Sequence, residues 1–127
     1  MKSKFLSIAV ALTACFSLGL IQFANAATPA STTVTIKANG DVGGRVKSSK
    51  PKKCADGRKI ILIQQMGAQQ DPSVDEKTGL SDTASKSGDH YEWSLGQPGL
   101  AAGKYYAKAK KIPGKCKGDR SKTVTVS

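Results

Sequence analysis

Two stretches of the chain gather the residue types that do chemistry. Lys50 to Lys59 reads KPKKCADGRK and Gly114 to Lys122 reads GKCKGDRSK, each setting one cysteine among lysines and arginines. Three chemistries suit a cysteine so placed. Neighbouring cations lower a thiol's pKa and create a reactive thiolate. A structural zinc site needs about four ligands, and beyond residue 26 the chain offers two cysteines and one histidine. No Cys-x-x-Cys redox pair is present. The third chemistry is a staple between segments 62 positions apart. An even cysteine count in an exported chain favours that staple. Closing a loop of about 60 residues stabilises a fold by about 4 kcal/mol in the chain-entropy description.

A Cys54–Cys116 disulfide has a consequence for charge. It would hold the two Cα atoms about 5–6 Å apart, crowding Lys50, Lys52, Lys53, Lys115 and Lys117 at one end of the molecule. These five are the candidate anion-binding residues. Residues 27–65 carry a net +6, residues 66–102 a net −4, and residues 103–127 a net +7, so the staple joins the two basic segments. Like charges forced together repel even when screened, and an anionic partner relieves that repulsion. The bland alternative is that these are solvated loop lysines. For a partner, an acidic polysaccharide, a lipid headgroup or another envelope polymer is favoured over nucleic acid. Phosphates would suit the lysines, but stacking aromatics should be interleaved with them. Only Tyr106, beside Lys108 and Lys110, is expected on an exposed face.

Other groups are weaker. His90 with Asp89 and Ser87 suggests a catalytic triad, but no GxSxG elbow exists and neighbours along a strand face opposite ways; a surface histidine at a strand start is the better account. Asp71, Asp75, Glu76 and Asp82 lack the spacing and fixed glycine of a calcium loop. No metal, cofactor or catalytic residue is assigned. Trp93 is expected in the core, near the staple.

The elements that must position these groups follow from period-two patterning. Residues 1–26 read as an export signal: a basic MKSK, a long apolar run, and Ala24-Asn25-Ala26 for cleavage after Ala26. The apolar FSLGLIQF that follows Cys15 argues against lipidation there. The mature chain then spans 101 residues at net +9, one domain with a modest core, no remaining membrane segment, and a monomer. Residues 27–33 read as a flexible leader, and 34–127 as the domain. Strands are expected at 34–38, 42–47, 58–65, 78–85, 90–95, 104–111 and toward the C-terminus, separated by Gly, Pro and Asn turns. Gly43 and Gly44 mark a bulge or a close backbone approach. A helix is a rival over 58–65, where the short length and three isoleucines favour strand, and over 101–111, where Gly103, Pro113 and the paired tyrosines do. The fold class is all-β: a single antiparallel β-sandwich of about seven strands, immunoglobulin- or prealbumin-like, with one disulfide.

The order GRV, GRKIIL, SDTASKSGDHYEWSL, PG, GKYYAKA and GKCKGDRSKTVTV resembles small exported bacterial β-sandwich domains of the carboxypeptidase-regulatory, prealbumin-like type. The resemblance runs from about Val34 to Val126, with Leu100-Ala101-Ala102 lengthening one turn. It implies a recognition or accessory module rather than an enzyme. Secretion or a periplasmic location, and a non-enzymatic interaction or structural role, are the expectation. The alternative is a secreted cationic antimicrobial or inhibitory effector.

Overall fold

Among the described residues, alternating apolar and polar positions become ten short strands in two antiparallel sheets. The computed structural model describes residues 28–127; the expected export signal, its cleavage point after Ala26, and Cys15 lie outside the described residues. The first sheet contains β1 (Thr32–Val34), β2 (Lys37–Asn39), β3 (Asp41–Ser48), β6 (Ser85–Ser87) and β7 (His90–Gly96). Its order is β1-β3-β7-β6, with β2 also pairing β3. The second contains β4 (Lys59–Gln65), β5 (Glu76–Thr83), β8 (Gly103–Ala109), β9 (Asp119–Arg120) and β10 (Val124–Val126). It is ordered β10-β8-β4-β5, with β9 also on β8. The architecture is the all-β sandwich that the patterning implies. The rival helix over 101–111 is strand β8, and α1 (Pro51–Cys54) is a single helical turn.

The core lies between the sheets. Trp93 with Tyr91 and Leu95 from β7, and Tyr105, Ala107 and Ala109 from β8, pack with Val34, Val42, Val46, Ile60 and Leu62. These are the inward sets that period two assigns. The fold also requires Gly44. Edge strands β1 and β2 bend at Thr35, whose carbonyl accepts the Trp93 Nε1 proton at 3.0 Å. A Cβ on Gly44 would stand 1.9 Å from that same carbonyl oxygen. The β3–β7 register shifts between Val42 and Gly43, so the anticipated bulge and close approach occur together.

Three expectations need correction. Residues 30–33 are not a loose leader: Ala30 N–H donates to Lys115 O and Ala30 O accepts Lys117 N–H, both at 2.8 Å, and Thr32 opens β1. Trp93 does not pack beside the disulfide. It belongs to the main core, whereas Cys54 and Cys116 sit with Ala30 and Ile112 in a separate small cluster. The cysteines come from α1 and a loop, not from facing central strands, which puts the staple at the end of the sandwich. Tyr106, finally, faces out from its sheet but is fully buried. The loop between β4 and β5 covers it.

That loop is tied at two points: the Gln70 amide donates to Ser121 O at 2.8 Å and Thr123 Oγ1 at 2.9 Å, and one carboxylate organises the rest. Asp75 Oδ1 accepts Met66 N–H at 2.9 Å, and its Oδ2 accepts Asp71 N–H and the Tyr106 hydroxyl, both at 2.7 Å. Burial pushes the Asp75 pKa up, but these three donors and the Arg120 charge outweigh it and hold the carboxyl below its ordinary range. Burial and the same carboxylate push Tyr106 up to about 12. Beneath the loop, Tyr106 pairs with Ile63, which is also buried.

Candidate anion-binding site

Cys54 and Cys116 are bonded, with Cα atoms 5.7 Å apart, and each is 1% exposed. A buried, bonded pair leaves neither a thiolate nor a metal ligand, so the chemistry of this end belongs to the cations. Lys50, Lys52, Lys53, Lys115 and Lys117 are all exposed. The staple gathers three of them around one cleft of about 380 Å³, lined by Lys50, Lys53 and Lys115 together with Thr28, Ala30 and Gly114. Lys52 and Lys117 flank the cysteines in sequence but do not line that cleft. Residues 50 and 115 thus share a surface through α1 on one side and a tight turn on the other. The turn is closed by Lys115 N–H to Ile112 O at 3.0 Å and Cys116 N–H to Ile112 O at 2.9 Å. Gly114 supplies the positive φ of +73° that the turn needs.

The residue that holds this end together was not legible as a site residue. Arg58 is 4% exposed, and its guanidinium has no carboxylate partner. One nitrogen donates to Thr32 Oγ1 at 3.1 Å and Cys54 O at 2.9 Å. The other donates to Lys110 O at 2.6 Å and Lys117 O at 2.9 Å. Burial lowers its pKa, but an arginine stays charged across the physiological range. The four acceptors lie on β1, α1 and both feet of the loop between β8 and β9. Arg58 therefore clamps the loop that carries Lys110, Lys111, Lys115 and Lys117.

The acids do not neutralise the lysines. Asp71 and Asp82 accept backbone N–H groups of Ser73 and Ser94, Asp119 accepts Val34 N–H at 2.7 Å, and Asp75 latches its loop. Asp89 and Glu92 flank the two ring nitrogens of His90. Those bonds, the one to Asp89 first, raise the His90 pKa, and the Asp89 carboxyl falls in return. Ser87 is the strand partner of His90, yet both ring nitrogens already face carboxylates. Among the described residues, the only ion-pair contacts are these two of His90. The exposed lysines carry their charge without a carboxylate within bonding distance.

A second depression, of about 460 Å³, adjoins the first. Its cations are Lys53, Lys59, Lys77, Lys110, Lys111 and the largely buried Arg58, with Asp56 as its one carboxylate. Lys77 is remote from the basic segments in sequence and had no claim to the site from charge runs. Its place on β5, opposite Ile63, brings it to the same outer face. Among the described residues no helix is long and apolar enough to cross a membrane. No protein-family model, curated protein or solved structure matches the chain.

Proposed function

We propose that the protein is an exported, non-enzymatic β-sandwich module whose stapled basic end binds anionic polymers of the cell envelope. One observation carries this reading: Lys50, Lys53 and Lys115, from segments far apart in sequence, line one cleft with no carboxylate paired to any of them. Like charges held together by a disulfide and a buried arginine cost stability when left alone, and a bound anion offsets that cost. The export segment at residues 1–26 supports an envelope or extracellular setting, where the disulfide persists. The two-sheet antiparallel architecture is compatible with kinship to prealbumin-like accessory domains, which forms part of the proposal.

The test is direct titration of the mature protein with two anionic polymers, an acidic polysaccharide and a phosphate polymer, at two salt concentrations. Binding should weaken steeply between about 50 and 200 mM salt, because each charge contact releases a counterion. Absence of binding at the lower salt would leave the lysines as mere solvated charge and end the reading.

A further inference from the structure

We infer that the cleft is one end of a continuous cationic track around the loop Lys110–Lys117, and that the track takes a linear polyanion bearing phosphate-type charges. The inference rests on the reading above and specifies its ligand. Three depressions meet at this loop. The cleft shares Lys53 with the second depression. The second shares Lys110 and Lys111 with a third, of about 810 Å³, to which Lys108 and Arg120 also contribute. Each boundary is therefore a lysine lining both sides, so the positive surface runs unbroken from Lys50 to Arg120. The only carboxylates along it belong to Asp56 and Asp119, and Asp119 is engaged by Val34 N–H.

The support beneath the track is rigid. Arg58 ties both feet of the loop, Lys110 O and Lys117 O, and the disulfide fixes the end near Cys116 to α1. A surface ordered before binding loses less entropy when a ligand settles on it. The length of the surface favours a chain of charges over a single ion, because successive contacts of one chain raise affinity through effective concentration.

The chemistry of the side chains narrows the class. Apart from Arg120, the exposed cations lining the track are lysines, compact point charges with rotatable donors that meet phosphate oxygens without a fixed approach geometry. They suit tetrahedral phosphate. Among the described residues no aromatic platform lines the three depressions: Tyr105, Tyr106 and Trp93 are buried, and none of the lining residues is aromatic. Base stacking, the mainstay of single-strand binding, has no platform here, which argues for a phosphate polymer without bases.

The experiment compares inorganic triphosphate with long-chain polyphosphate on the oxidised mature protein, in wild type and in Lys110→Ser/Lys111→Ser. Both side chains are exposed and Arg58 bonds only the Lys110 carbonyl, so the fold should persist, as thermal melting will check. Wild type should bind the long chain at least about 100-fold more tightly than triphosphate. The double variant should lose most of that gain. Equal affinity for both lengths, or a variant that binds the long chain as wild type does, overturns the track and leaves the cleft standing. Failure of both ligands to bind at low salt defeats the cleft as well. Polygalacturonate, single-stranded DNA and phosphatidylglycerol vesicles serve as rivals. Tighter binding to any of them than to polyphosphate overturns the assigned class.

Discussion

Arg58 shows how a single, largely buried side chain can decide the geometry of the surface above it. Its guanidinium satisfies three backbone carbonyls and one hydroxyl, and removing it strands buried acceptors. Arg58→Ala should destabilise the fold by about 3 kcal/mol, measured by urea unfolding, and Arg58→Lys should recover little because one ammonium cannot span both forks. A loss below about 1 kcal/mol would mean that water substitutes for the clamp. The residue was invisible as a site residue in sequence for a physical reason. Three of its four partners are backbone carbonyls, which leave no mark in residue types. Asp75 was hidden likewise, since its donors are two local amides and a hydroxyl on a strand that pairs only in the fold. His90 gives the second test at this scale. Its pKa is raised, so any stability it contributes is complete below about 6.5, the unfolded value, and is lost as pH rises through the folded value. A titration followed by NMR should show a midpoint above about 6.5, falling in Glu92→Gln; a midpoint at or below the free value contradicts the paired geometry.

The elements were largely legible. Period-two alternation assigned the inward faces of β7 and β8, because each strand has one face on the core. The same pattern failed at Tyr106, because alternation tells which face a residue takes and not what covers that face. Loop Met66–Asp75 lies over the outer face of the second sheet, and Asp75 fastens it. Asp75→Ala should leave the sandwich folded yet raise hydrogen exchange at the Met66 and Asp71 amides, which lose their acceptor. Unchanged protection at both amides would show that the Gln70 bonds and packing hold the loop without the carboxylate. Gly43 and Gly44 were read as a close approach from residue type, and here sequence and structure agree for a steric reason. Gly44→Ala pushes a methyl into Thr35 O and should cost about 3 kcal/mol.

At the scale of the whole molecule, the staple does two things. It removes freedom from the unfolded chain, so Cys54→Ala/Cys116→Ala should lose about 4 kcal/mol and roughly 15 °C or more in Tm. It also sets two basic segments side by side, which the paired cysteines and charge runs already implied. The sequence did not show how many lysines belong, because that depends on strand pairing and loop direction. Lys52 and Lys117 stand outside the cleft, while Lys77 enters the adjoining depression from β5. The measurement that reaches the central claim most directly uses two triple variants of equal charge, compared for binding to one anionic envelope polymer at low salt. One is Lys50→Ser/Lys53→Ser/Lys115→Ser, which empties the cleft. The other is Lys37→Ser/Lys86→Ser/Lys104→Ser, which removes the same charge from residues lining none of the three depressions. The cleft variant should lose at least about tenfold in affinity, and the control should lose much less, since local contacts outweigh net charge at short range. Equal losses in the two variants would show that only net charge matters and that the stapled end is no site.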